Sequence, residues 1–434
     1  MNRKLVIKYY SESIPFFILF LTVSLKWLFE GVFDQPLFEL FFLTIGVFLL
    51  ISKRGIRINK LSIMWLLFIF NIAISVLTHN SSFGIIGRAM IIIMIASYAL
   101  FIDYDIYRYK GAIKFLIVLA TFYGFFIILQ FILRERFNDA YFSVLIEAYK
   151  SLAQDFYDKG YFFGLIFNSH EVAGLISFAI VALVLWQVVN ERKNIMIIPV
   201  VLLAFPLLLT QKKGVITISV LVLVFTLLIQ YGTKKQWKKV IGVLFVILLT
   251  YIVIRYFGLP DTNSILFYRF QQFFSNITNG DSFDSGRGSL YDIAISEWEE
   301  NKLFGIGWRH FNGLTTTVYG YSLGHEVNRD YLQWLCETGI IGLILNLIPV
   351  IVTFYRTIVI CRYHLRRVSD ATTQWVVLFA VFVQIFILLY AWIEIPFYDI
   401  VWFSMYIFSC IVINSAYRRA KNGELFRKNI MPLC

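Results

Sequence analysis

Charge is what this sequence has least of for its size. Only 15% of its 434 residues are Asp, Glu, Lys or Arg, against about 25% in a soluble domain. Hydrophobic residues make up 59%, more apolar side chain than a soluble core can hide. A soluble globular enzyme is therefore excluded, and so is a disordered chain. Proline is scarce at 8 residues against 44 phenylalanines. The four cysteines, Cys336, Cys361, Cys410 and Cys434, are too scattered for a disulfide scaffold and lack metal-ligand spacing. Alternation of the β-barrel kind is absent too, which leaves helices as the spanning element.

What is there is a series of apolar runs of about 17–23 residues, each matched to ~30 Å of hydrocarbon at 1.5 Å per helical residue. Twelve are read: 13–30, 36–52, 61–77, 84–102, 111–133, 165–189, 195–211, 214–230, 240–257, 338–360, 374–392 and 398–416. The expected fold is an all-α polytopic membrane protein. The first run has no small-residue cleavage site and continues into Lys26-Trp27, so it reads as a retained helix. In segments, 1–257 holds nine spans, 258–337 forms a large loop between the ninth and tenth, 338–416 holds three more, and 417–434 is a basic tail.

An even number of spans puts both termini on one side. Segments on the termini's side carry 23 of the 39 Lys and Arg residues, and the longer opposite set carries 11. The positive-inside rule makes the first set cytoplasmic, so the net charge of +12 is an orientation signal. A nucleic-acid partner falls away with that reading. Two segments on the opposite, outer side are long: 134–164, charged and helical in pattern, and 258–337. Excursions of that size are usually functional.

Basic residues in a span or on the outer side are functional candidates by default. Lys212 and Lys213 sit in the hairpin Leu209-Thr210-Gln211-Lys212-Lys213-Gly214. Either the long side chains snorkel to the interface, or they hold an anion beside a helix start. Arg88 and Arg255 lie near the outer ends of the fourth and ninth spans; Arg88, deeper in apolar sequence, is the better candidate to face the bundle, and Arg255 and Lys26 read as snorkelling. Asn168, His170 and Glu171 open the sixth span, where they cap the helix or line a polar cavity. In the large loop, Ser285-Gly286-Arg287 precedes a helical stretch with Ile293 and Trp298 on its apolar side. The turn Phe304-Gly305-Ile306-Gly307 follows. On a helix, His325, Asn328 and Arg329 would share one face, although an amphipathic helix lying on the membrane fits the same stretch.

The order of these pieces resembles the O-antigen ligase/polymerase superfamily, which includes the Wzy-type repeat-unit polymerases. The resemblance rests on Gly164 to Asn168, Thr210-Gln211-Lys212-Lys213-Gly214, Ser285-Gly286-Arg287, Phe304-Gly305-Ile306-Gly307, Asn328-Arg329-Asp330-Tyr331-Leu332-Gln333 and Glu337-Thr338-Gly339-Ile340-Ile341-Gly342. It covers about 160–342 and is closest to capsular or exopolysaccharide polymerases. It implies a GT-C-like glycosyltransferase architecture in the cytoplasmic membrane. The reaction would move a glycan from a polyprenyl-diphosphate carrier to an acceptor hydroxyl, with no cofactor and no metal. A chain-length regulator and a flippase are the implied partners, beside membrane lipid. By alignment with the family, Lys213 and Arg287 bind diphosphate, with Lys212 in reserve; Arg88 is added to them from its place in the fourth span. Arg287, His325 and Asn328 are the catalytic candidates, and Asn168, His170, Arg329 and Tyr331 the glycan-binding ones. Two positions depart from the family: Asn328 stands where a proposed catalytic His is usual, and Arg329 where Asn is. Since an amide cannot act as a base, His325, Glu326 or Asp330 takes its place, or the reaction relies on electrostatic stabilisation of the leaving group. Polymerase, ligase and polytopic transporter or flippase are the competing functions. The near absence of midplane carboxylates speaks against transport.

Overall fold

A backbone that crosses hydrocarbon must satisfy its own N–H and C=O groups, and apolar runs of bilayer length do so as helices here. The computed structural model describes residues 3–33, 37–54, 60–100, 106, 109–166, 168–190, 197–231, 288–320, 325–365 and 370–422, and among them there is no strand. The first eight helices are α1 (Arg3–Ser24), α2 (Lys26–Phe29), α3 (Leu37–Arg54), α4 (Lys60–Thr78), α5 (Phe83–Ser97), α6 (Tyr109–Leu133), α7 (Glu135–Phe142) and α8 (Glu147–Asp158). Then come α9 (Ser169–Asn190), α10 (Ile197–Leu209), α11 (Lys213–Tyr231), α12 (Gly288–Glu300), α13 (His310–Thr317), α14 (Asp330–Val359), α15 (Ala371–Tyr390) and α16 (Ile400–Lys421). Among the described residues, seven stretches are long and apolar enough to cross a membrane: 61–78, 83–100, 109–133, 169–190, 330–363, 371–390 and 400–421. Four shorter apolar helices cover 14–24, 37–52, 198–209 and 213–229. The chain is an all-helical, multi-pass membrane protein. The expected ninth span, 240–257, lies outside the described residues, as do Arg255 and Arg287.

The chain divides into two compact units. Unit 1 comprises 1–25, 35–114 and 287–434. Its centre is α15 and α16, with 78% and 94% of their spanning windows buried. Polar side chains tie its helices together. Asn71 of α4 donates to Asn346 of α14 at 3.0 Å, Thr357 of α14 to Gln384 of α15 at 2.8 Å, and Arg356 of α14 to Asn414 of α16 at 2.9 Å. Hydrogen bonds of this kind substitute for the hydrophobic drive that lipid removes. Unit 2 comprises 26–34 and 115–286. There α10 and α11 pack on α9, which is joined to α11 by the Ser177–Ser219 hydroxyl pair at 2.5 Å. The 134–164 segment forms α7 and α8, as its charge pattern predicts.

Three local expectations are corrected. Residues 325–329 are not helical: Asn328 is left-handed at φ 57°, Arg329 is extended, and α14 starts only at Asp330. The i, i+3, i+4 spacing is present, but His325, Asn328 and Arg329 do not share a helix face. Lys26 does not merely snorkel, because its Nζ lies 3.0 Å from Glu171 Oε1 in a largely buried ion pair. The buried face of α12 is Leu290 and Ala294, packed with Phe311, Val327 and Cys336, while Ile293 reaches its edge and Trp298 does not join it.

Candidate functional site

In unit 1 the connectors 79–82, 301–329 and 391–399 converge at one end of the helices. His79 Nε2 lies 3.2 Å from the Gly305 carbonyl, Ser81 Oγ lies 3.0 Å from His310 Nε2, and the Asp330 N–H donates to the Ala391 carbonyl at 3.0 Å.

Two glycine motifs far apart in sequence form one junction. The N–H groups of Ile306 and Gly307 donate to the carbonyls of Cys336 and Glu337 at 3.1 and 2.9 Å. In return Ile340 and Ile341 donate to Lys302 and Leu303 at 2.9 and 3.3 Å. The backbones cross so closely that a Cβ on Gly305 would fall 2.4 Å from the Glu337 carbonyl carbon, and one on Gly339 would fall 2.2 Å from the Leu303 oxygen. Both glycines have positive φ, 71° and 63°, which a residue with a Cβ rarely adopts. The Gly339 conformation breaks α14 into a short segment carrying Glu337 and the longer membrane helix.

Glu337 is fully buried because it replaces the orphan N–H partners at the start of α13. Its carboxylate accepts the Arg309 N–H at 2.7 Å and the Phe311 N–H at 3.3 Å, and Gln333 Nε2 adds a third donor at 3.2 Å. Gln333 also donates to Glu326 and accepts the Val327 N–H at 3.2 Å. Arg309, left-handed at φ 59°, sends its guanidinium to the Tyr398 carbonyl at 2.6 Å and to within 3.8 Å of Glu326 Oε1. It lies over the rings of Trp308 and Tyr398, which stack at 5.5 Å. Burial pulls Arg309 below the usual arginine range and the Arg88 guanidinium pulls the same way, while Glu326 and Glu337 push it back up. Burial, then the Glu337 charge, raises the Tyr398 phenol well above its ordinary value. The result is a cluster that joins the Arg309 guanidinium, the carboxyl groups of Glu326 and Glu337 and the Gln333 amide.

Of the residues expected in the site, Arg88, His325, Asn328, Arg329 and Tyr331 belong to unit 1. Arg88 is half-buried in α5, and its charge reaches Arg309. The His325 side chain is exposed and its N–H donates to Thr315 Oγ1 at 3.0 Å. Asn328 Nδ2 donates to the Glu326 carbonyl at 3.0 Å. Arg329 lies 4.0 Å over the Tyr291 ring, and the Tyr331 hydroxyl donates to the Leu388 carbonyl at 3.1 Å while its ring packs against Trp392.

Unit 2 holds Asn168, His170, Lys212 and Lys213. Asn168 caps α9 by accepting the His170 N–H at 3.0 Å, and its amide donates to Glu171 at 3.2 Å. The loop before it is clamped: Gln130 accepts the N–H groups of Phe163 and Gly164, both at 2.9 Å, and Tyr141 donates to the Leu165 carbonyl. Gln211, left-handed at φ 56°, turns the lysine hairpin and donates to the Gly160 carbonyl. Lys212 is buried, its ammonium 4.1 Å over Tyr161 and 5.4 Å from Phe156. Lys213 is the half-buried first residue of α11.

Sequence reasoning passed over Arg309, although a basic residue in an outer segment was the signal in use for Lys212 and Lys213. Gln333 and Glu337 were noted as motif letters without a role. Nothing local pointed to the pair of Lys26 and Glu171, 145 positions apart.

A helical multi-pass membrane protein with a polar cluster built on the loop before a broken helix is the class these features define. Within it, residues 198–347 match the O-antigen ligase family, the segment that carries the lysine hairpin, the crossed glycine turns and Glu337. The match supports a function of the O-antigen ligase/polymerase type, that of membrane glycosyltransferase-like enzymes acting on lipid-linked glycans. No curated protein matches the chain.

Proposed function

We propose that the protein polymerises polyprenyl-diphosphate-linked oligosaccharide repeat units into a capsular, exopolysaccharide or O-antigen chain. The reaction takes place at the outer face of the cytoplasmic membrane, with both termini cytoplasmic. The observation that carries this reading is the cluster of Arg309, Glu326, Gln333 and Glu337 inside the matched segment 198–347. Transfer from a diphosphate carrier needs cations to accept the leaving charge and an acceptor oxygen held and activated beside them. Lys213 and Arg88 are assigned to the diphosphate, with Arg287 joining them on the resemblance. Lys212, its ammonium over the Tyr161 ring, is held in reserve for the same task. Asn168, His170, Arg329 and Tyr331 are assigned to the glycan, and a chain-length regulator and a flippase serve on either side of the reaction.

Deleting the gene leaves single repeat units on the carrier, and the wild-type gene restores long chains on a gel. Lys213→Ala, at unchanged protein level, lowers chain growth by about tenfold or more, whereas Lys213→Arg retains most of it. Normal chains from Lys213→Ala would remove the lysine from the site. Because the matched family is described as O-antigen ligase, the second reading is transfer of a finished glycan to another acceptor. Deletion would then leave polymer of normal length, unattached.

A further inference from the structure

We propose that Glu326 is the general base of the transfer, taking the proton of the acceptor hydroxyl. Asn328 and Gln333 act as positioning residues for it. The assignment rests on the polymerase reading and names the group that does the work expected of a histidine at position 328.

Three carboxylates beside the Arg309–Gln333 cluster are engaged by backbone. Glu337 is fully buried and takes two main-chain N–H groups. Asp330 is fully buried and accepts the Phe397 N–H at 3.0 Å. Asp399 caps α16 through the N–H groups of Val401 and Trp402 at 2.8 and 3.1 Å. Releasing any of these would leave buried main-chain donors unsatisfied, at about 1–3 kcal/mol each. Glu326 is held by side chains instead. Its Oε2 accepts from the Gln333 amide, while Oε1 lies 3.8 Å from Arg309 Nη1, an ion pair beyond hydrogen-bond length. The side chain keeps 16% of its surface exposed, and an ionised carboxylate offers about four acceptor positions. It can therefore receive an O–H without breaking the fold.

The neighbours explain how the group is aimed. Asn328, left-handed as Asn tolerates, donates to the Glu326 carbonyl and so braces the tip that carries it. Gln333 links Glu326 to buried Glu337, which fixes one carboxylate oxygen and leaves the other turned toward Arg309. His325 has an exposed side chain and is tied to Thr315 through its backbone. In the transfer the acceptor O–H proton passes to Glu326 and the oxygen bonds to the anomeric carbon. The anomeric C–O bond to the carrier breaks, and its electron pair leaves on the diphosphate. Glu326 then returns the proton to water, so the step needs no oxidant or reductant.

The test uses membranes containing the full chain, given the lipid fraction extracted from the deletion strain, with the initial rate of chain extension as readout. Glu326→Gln keeps the shape and the Gln333 contact and should slow extension about 100-fold or more at wild-type protein level. Glu326→Ala should be equally slow and should recover several-fold when formate is added, which a purely structural role would not allow. Glu326→Asp should fall between wild type and Gln. Glu326→Gln within about threefold of wild type, or an Ala variant that formate does not rescue, would overturn the assignment and leave the polymerase reading standing. Wild-type membranes that leave the extract unextended would overturn both.

Discussion

Each unit buries a carboxylate at the mouth of a helix, and the two are satisfied in opposite ways. In unit 2, Glu171 in the first turn of α9 meets the ammonium of Lys26 and the amide of Asn168, both side chains. In unit 1, Glu337 meets mainly main-chain N–H groups, brought to it where two glycine-containing backbones cross. A lysine contact depends on one flexible stem and on a full countercharge. A main-chain cradle depends on the path of the chain. The unit 1 arrangement should therefore fail through backbone geometry and the unit 2 arrangement through charge.

The largest effect should come from Gly339→Ala. A Cβ there would stand 2.2 Å from the Leu303 oxygen, in a conformation that is nearly glycine-only and costs of order 1–3 kcal/mol in other residues. Displacing the crossing backbone adds an overpacking cost of about 1–3 kcal/mol. Together these come to about 2–6 kcal/mol, a large share of a typical domain's stability, so Gly339→Ala protein should be depleted from membranes and unfold well below wild type in a detergent melt. A normal melt would show that the junction can open without cost, and the contrast between the two mouths would disappear.

Much of this architecture could be read in the residues beforehand, because the bilayer dictates run length. Most of the described apolar runs are helices, although the first helix starts at Arg3, ten residues before its expected start, and α14 starts at Asp330, eight before; Gly305 was legible as a turn. What pattern reading lacked was what each turn packs against. The spacing of His325, Asn328 and Arg329 suits a helix, yet Asn328 is left-handed and α14 begins after them, at Asp330. Periodicity carries no information on such a cap. Arg309 stood out in no motif, and its role depends on Glu326, Glu337 and the Tyr398 carbonyl, which the fold brings around it. Lys26 looked solitary because its partner lies 145 positions away.

The unit 2 pair should give the next effect. Lys26→Met strands the Glu171 carboxylate, which is 2% exposed; removing one partner of a buried pair typically costs about 3–5 kcal/mol. Asn168 keeps one hydrogen bond to the stranded oxygen, which places the expectation at the lower end, about 3 kcal/mol. The double variant Lys26→Met, Glu171→Leu should regain most of that loss, since an apolar pair avoids the desolvation penalty. A double-mutant cycle on melting temperature reads the coupling directly. Equal instability of the single and double variants would mean that the mouth of α9 is held by shape and not by the charge pair.

The smallest effect separates the units by pH. His310 lies 3.0 Å from Ser81 Oγ, and its ring centroid is 6.1 Å from that of His79. Burial, then the neighbouring His79, lowers its pKa below the ordinary value of 6.5. The folded protein thus binds this proton less tightly than the unfolded chain does. Its contribution is fully present above about pH 6.5 and declines as pH falls from there through the lowered folded-state value. Melting temperature should consequently drop modestly between about pH 7.5 and about pH 5.5. His310→Gln should flatten that slope, and the Lys26→Met, Glu171→Leu protein should keep it, because the acid-sensitive group belongs to the loop cluster of unit 1. An unchanged slope in His310→Gln would move the acid sensitivity to another group.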